Sequence, residues 1–482
     1  MNGRQKNSLL IAVLLLTLAG SAQQPQANPP QHPTAPTNPA PPAAQEEKGP
    51  AGDRHISAEE AKQLLGAVDD VLKFDSKDTG LAIKAEVRRQ LIDRDKVQAY
   101  IEKQLREDED AQRLKNGEMV LKKFGLVPRD FDVDKFLVQL MREQVAGYYD
   151  PQTKFVNLLD WLPPETQMPV LAHELTHSLQ DQNFGMEKWV KGPNHKKKMS
   201  PAETVADDES TVARHAVLEG QAMAVMLDWM LAPLGKSLLE SPQIAEAMEA
   251  GMAQGGDSPV FNKAPLYLQR VLIFPYTYGL DFERVLLKQG KDTAFAGVFK
   301  RPPESTREVM EPAVYLADEK LAPVNPPDIA GALGKGWEMY DVGSIGEFDV
   351  AMIAEQFANA AIAKTIYPAW RGGYYYAVNK KGAEVKTTGD LGVVFVTRWA
   401  EPAAQSTFAK LYAASVKKRY SAVQALAPAS DSTNTERSPM HWQTNEGEVF
   451  LEMNGQLLIV FESISADNAS KLRTIIAAPP KM

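Results

Sequence analysis

The chain has 482 residues, 44% hydrophobic and 24% charged, a balance that excludes a fibrous or wholly disordered protein and suggests two or three folded domains. A formal net charge of −9 makes nucleic acid and anionic membrane surfaces poor partners. There is no cysteine, which removes disulfides and a cysteine-linked lipid from consideration.

Residues 1–22 carry Arg4 and Lys6, the apolar run "SLLIAVLLLTLAG", and the small residues Gly20, Ser21 and Ala22. That layout predicts a secretory signal peptide, with an uncleaved anchor as the alternative; the run is short of the roughly 20 apolar residues that span a bilayer. The expectation is a periplasmic or secreted bacterial protein with no stable membrane insertion once the signal is removed. Residues 23–52 are rich in Pro, Ala, Gln and Asn and predict a disordered tether, so His32 within it and His55 beside it are not metal ligands.

From residue 56 the apolar spacing becomes helical. Ser57 followed by Glu60 gives a capping box, and Val97, Ile101 and Leu105 make one stripe. Further helices are predicted over 108–124, ending at Gly125, and over 133–142. Two β-rich runs around Asp150-Pro151-Gln152-Thr153 predict a hairpin, whose edge could pair with an extended substrate. Helices follow over 165–182, over 207–233 and through about 320, up to a joint at Pro323, Pro326 and Pro327. Beyond it, "GVVFVTRW", "EVFLEMNG" and "QLLIVFES" read as strands, and "EPAAQSTFAKLYAASVKKRY" and "ADNASKLRTIIAA" as helices. The fold class is α+β: a mainly helical domain over 53–330 and an α+β module over 331–482.

The chemistry sits in "VLAHELTHSLQDQ", residues 170–182. HExxH on a helix places His173 and His177 one turn apart on one face, where both Nε2 atoms reach a single cation. Zinc suits two neutral imidazoles, and Glu174 beside it can take a proton from a water acidified to a pKa of about 7. Val170, Leu171, Leu175 and Leu179 surround the motif with core-type residues, which argues against a solvated surface helix. A catalytic site needs a third protein ligand. Glu219 in "AVLEGQA" is the best candidate, on a helix packed against the first, with Gly220 permitting close approach of the two backbones. Glu209 and Glu203 are rivals better explained by capping near a helix start. His195 lies in a basic loop with Lys196, Lys197 and Lys198, a loop or a processing site rather than a ligand.

HELTH followed by LEGQA resembles the gluzincin metallopeptidases. It is more closely similar to a set of exported or membrane-linked bacterial and archaeal proteins with "AGYYD", "HELTHALQDQ", "LVEGDA", "FPYxxG" and "PPxSTE" segments. The matching stretches here run from Ala146 to Asp150, His173 to Gln182, Leu218 to Ala222, Phe274 to Tyr276 and Pro302 to Thr306. The likeness covers about 130–315 and is loose beyond, where "YPAWRGGYYYAV" only resembles a family segment. It implies a zincin-like helical domain, zinc held by His173, His177 and Glu219, Glu174 as general base, and a peptide or protein substrate. Thermolysin-like members have an Asp four residues after the ligand Glu; Met223 stands there, leaving Asp208 as the guess for the carboxylate that orients a histidine. Glu311 stands where the family segment has a His. An oxyanion stabiliser is expected from Tyr276, Tyr278, His215, Tyr148 or Tyr149, with Tyr276 and His215 favoured. The competing reading is an envelope binding or scaffolding protein that keeps zinc without hydrolysis.

Overall fold

The computed structural model describes residues 55–107, 109–193, 195–196, 198–253, 258–426 and 440–477. The predicted signal peptide and nearly all of the tether lie outside the described residues. Among the described residues no helix is long and apolar enough to cross a membrane.

The N-terminal region is built from α1 (Ala58–Thr79), α2 (Arg94–Glu107), α3 (Glu109–Phe124), α4 (Val133–Gln144), α5 (Pro164–Phe184), α6 (Met186–Lys191), α7 (Pro201–Leu231), α8 (Pro242–Ala253), α9 (Pro259–Asn262) and α10 (Leu266–Leu287). The capping box predicted at Ser57 and Glu60 is present on α1. A second one, Ser200 with Glu203, starts α7 six residues earlier than the apolar pattern indicates. The hairpin forms as β2 (Tyr148–Asp150) and β3 (Phe155–Leu159). A strand with no sequence signal, β1 (Arg88–Ile92), pairs with β3 in parallel, giving a three-stranded sheet of order β1-β3-β2.

Three helices make the frame of this region. Every residue of α5 from Val170 to Gln180 is buried, and so is every residue of α7 from Ala213 to Leu227. A helix buried on all sides is normally apolar throughout. These two carry His, Glu, Gln, Thr and Ser into the interior, and those polar groups need partners there. The third helix, α10, lies along α7 with the most extensive helix–helix contact in the chain. A Cβ on Gly220 of α7 would overlap the carbonyl of Gly279 of α10, and one on Gly279 would overlap the carbonyl oxygen of Ala216. The close approach at Gly220 is therefore to α10, not to the motif helix as the sequence suggested.

The C-terminal module is a seven-stranded antiparallel sheet of order β4-β5-β6-β10-β9-β8-β7. Its strands are β4 (Trp337–Ser344), β5 (Trp370–Lys380), β6 (Gly392–Trp399), β7 (Val423–Leu426), β8 (Met440–Thr444), β9 (Gly447–Asn454) and β10 (Leu457–Glu462). The helices Pro402–Arg419 and Ala466–Ile476 match the predicted pair. The α+β class is thus present as a helical region and a separate sheet. The two regions interlock more than the chain order implies. Val120, Phe124 and Leu126 pack in the core under the large sheet, while Phe348, Ala351 and Met352 pack in the helical core. Lys123 is fully buried at this junction, donating to Thr388 O at 2.9 Å, Glu446 Oε2 at 3.0 Å and Ser463 Oγ at 2.6 Å.

One buried acid makes stability depend on pH. Glu283 on α10 is fully buried, and neither carboxyl oxygen has a hydrogen-bond partner among the described residues. Burial disfavours its charged form and raises it from 4.5 to about 8. The neutral acid is thus favoured in the folded state, so stability is full below 4.5 and is lost as pH rises toward 8. The loss from this one group is up to about 5 kcal/mol. Denaturant midpoints at pH 5 and pH 8 should therefore differ less for Glu283→Gln than for the parent. Equal differences in the two proteins would contradict this origin.

Candidate metal centre

His173 and His177 project from the same face of α5, and Glu219 from α7 where the two helices pack. Their Nε2 atoms lie 3.1 Å apart. Glu219 Oε2 is 3.1 Å from His173 Nε2 and 3.5 Å from His177 Nε2. A tetrahedral ion with bonds of about 2.0–2.1 Å requires ligand atoms about 3.3–3.4 Å from one another. The observed triangle meets that requirement without rearrangement. All three residues are buried, at 0–2% exposure, and they are the only such His/Cys/Asp/Glu group among the described residues.

The electrostatics support the same conclusion. Burial alone would raise Glu219, but charge and hydrogen bonds from His177 and His173 hold it well below the usual carboxylate range. Burial lowers His173. Burial would also lower His177, but Glu219 outweighs it and raises His177 to about 9. Without a metal, the cluster is an ion pair holding one positive charge between an imidazole and a carboxylate. A divalent cation would replace that charge and let both imidazoles be neutral donors.

Two residues missed from the sequence orient His177. Gln180 Oε1 accepts from His177 Nδ1 at 2.8 Å, and Gln180 Nε2 donates to Gln221 Oε1 at 2.9 Å and to Leu218 O at 3.0 Å. Gln221 Nε2 in turn donates to Ala294 O at 2.8 Å. That carbonyl lies in a π-helical turn, Asp292–Gly297. A carbonyl only accepts, so it fixes the orientation of Gln221, then of Gln180, then the Nδ1–H tautomer of His177. The lone pair on Nε2 is left facing the ligand triangle. The available signal was Gln three residues after His177, on the same helix face. Glutamine in place of a carboxylate gives the sequence no charge to mark it. His173 has no counterpart, since its Nδ1 has no partner among the described residues. Gln180→Ala should weaken metal binding about 10- to 100-fold in a chelator-competition titration. An unchanged affinity would show that the chain of amides does not orient the ligand.

Asp208 does not take the orienting role. It accepts from Arg113 at 2.8 Å and from Ser344 N–H at 3.1 Å. Eleven residues separate it from Glu219, about 16 Å along the helix, where α7 leaves the helical core and meets β4. Glu209 accepts from the N–H and hydroxyl of Thr306, and Glu203 serves the capping box. His195 pairs with Asp207 at 3.1 Å and His55 with Asp160 at 3.0 Å. Met223 is a core residue.

Glu174 is buried beside the triangle. Its Oε2 accepts from Tyr149 N–H at 2.7 Å and its Oε1 has no hydrogen-bond partner among the described residues. Burial raises it to about 8. The same contact changes the expectation for the hairpin. Strand β2 does lie at a sheet edge, but Tyr148 and Tyr149 are buried and the Tyr149 N–H is already engaged, so that group is not open to a substrate backbone. Of the candidate tyrosines, Tyr276 on α10 lies beside His173, with ring centroids 6.3 Å apart and planes at 23°. Tyr149 donates its hydroxyl to Asp181, Tyr148 stacks on Tyr100, and Tyr278 packs on Phe274. His215 is buried on α7 one turn before Glu219, outside the three-ligand group.

The residues present can therefore hold a metal ion. No family model matches the chain, and neither does any curated protein or solved structure. The function must be argued from the site alone.

Proposed function

We propose that the protein is an exported zinc-dependent peptidase of the gluzincin type, with a zincin-like helical domain. The observation that carries this reading is Glu174. It is a buried carboxylate next to two imidazoles and a third ligand from a separate helix, with one oxygen fixed by Tyr149 and the other unengaged. A purely structural metal site has no use for such a group. Two nitrogen ligands and one oxygen ligand at tetrahedral spacing suit zinc. When bound, the ion supplies Lewis-acid polarisation of a carbonyl and acidifies water.

The chain's own contribution follows from the geometry. Tyr149 N–H holds Glu174 Oε2, so Oε1 is positioned to take the proton of the attacking water and deliver it to the leaving amide nitrogen. Burial places Glu174 near the pH at which a group can do both, and a cation nearby would draw it lower. Tyr276, beside His173, is the candidate donor to the oxyanion, with His215 as second candidate. The apolar run and small residues at 9–22 support export.

A second reading, a zinc-holding binding or scaffolding protein, is favoured by one observation. His173, Glu174, His177 and Glu219 are all at most 2% exposed, and the cavities of about 860, 580 and 270 Å³ are lined by none of them. Under the peptidase reading, a substrate reaches Glu174 only after the surrounding chain opens. Incubation of the metal-loaded protein with a diverse peptide library, with and without chelator, separates the two. Cleavage that chelator abolishes is the expected result. A protein that binds zinc and cleaves nothing would establish the second reading instead.

A further inference from the structure

A cavity of about 860 Å³ lies between the N-terminal half of α7, the 304–325 stretch and the start of β5. It shares no residue with the metal centre, and its size is that of a small-molecule or short-peptide site. The charges that line it do not balance once each is matched to its partner. Glu203 pairs with Lys196, Asp207 with His195, Glu304 with Lys320 and Glu319 with Arg307. Glu209 accepts from Thr306 and Glu308 from the N–H of Glu304. Two guanidinium groups are left with no carboxylate. Arg214, on α7, is 8% exposed and bonds only the carbonyls of Trp189 and Val190 through Nη1, and its buried Nε has no partner. Arg371, on β5, is partly buried and bonds only the carbonyls of Pro368 and Trp370. A buried charge without a counter-ion is costly, and here one comes from each wall of the same cavity.

We propose that this cavity binds the free C-terminal carboxylate of a peptide, held between Arg214 and Arg371. The guanidinium fork matches a carboxylate in a bidentate manner. A singly charged anion is favoured over a phosphate dianion because the surrounding acids repel the second charge more strongly. Met199, Val205, Val324 and Trp370 offer apolar contact between the polar groups, which suits a peptide better than a uniformly apolar chain. The site is independent of the metal reading.

The test is calorimetric titration of the full chain carrying Glu174→Gln, so that no peptide is consumed. The probes are acetyl-Ala-Val-Ala-Leu with a free C-terminus, its C-terminal amide, and phenyl phosphate. Binding of the free acid is expected with or without chelator, with the amide at least about tenfold weaker. Arg214→Gln and Arg371→Gln should each weaken the acid about tenfold and leave the amide unchanged. Arg371 bonds only carbonyls within three residues of itself, so its variant keeps the test valid even where Arg214→Gln fails to fold. Four results would overturn the proposal: no binding of the acid, equal affinity for acid and amide, indifference to Arg371→Gln, or tighter binding of phenyl phosphate.

Discussion

Glu174→Gln is expected to retain metal at close to parental affinity and to lose peptide hydrolysis by about 10²- to 10⁴-fold. The amide oxygen can still accept from Tyr149 N–H, where Glu174 Oε2 now accepts at 2.7 Å, so the helix and hairpin stay joined. The amide cannot take up a proton at the position of Oε1. Stability should not fall, because the substitution removes a carboxylate that burial already raises to about 8. Turnover that survives the change, measured on the metal-loaded variant, would remove Glu174 from the mechanism. Loss of metal together with turnover would place it instead in the structure of the site.

Gly220→Ala should have the largest effect on folding. Its Cβ would overlap the Gly279 carbonyl, which is backbone in the middle of α10 and cannot swing aside as a side chain can. Separating α7 from α10 disturbs the most extensive helix packing in the molecule, and Glu219 moves with its neighbour. A loss of about 3 kcal/mol or more is expected, together with weaker metal binding. The control is Gly66→Ala, on the exposed side of α1, where nothing lies within 4 Å of the added methyl. There the exchange should stabilise by about 0.5–1 kcal/mol. Equal denaturation midpoints for the two variants would contradict the packing argument.

What was legible in the sequence was local. The capping box at Ser57, the helix stop at Gly125 and the hairpin at Asp150 each depend on a few neighbouring residues, and each is present. The motif helix was equally plain, since HExxH and its apolar flanks lie within three turns. Glu219 needed one long-range assumption, that the two longest amphipathic patterns pack together. What was not legible depends on partners far along the chain. Strand β1 reads "RRQLI", and its strand character comes from pairing with β3, Arg88 facing Phe155. Strand β5 contains Gly372 and Gly373, which weaken its local signal, yet it is held between two neighbours. Burial of Lys123 beneath the large sheet contradicts every expectation for a lysine until Glu446, Ser463 and Thr388 are seen around it. Gln180 and Gln221 escaped notice for a related reason: an uncharged amide becomes informative only when its partners are known.

The account rests on three side chains from two helices gripping one ion, and metal content measured alongside X-ray absorption at the zinc edge tests that most directly. The expected result is one zinc per chain with two imidazole nitrogens and a carboxylate oxygen in its coordination shell, and no stoichiometric zinc in Glu219→Ala or His177→Ala. A parent protein that holds no zinc after loading, or variants that keep a full equivalent with the same spectrum, would contradict it.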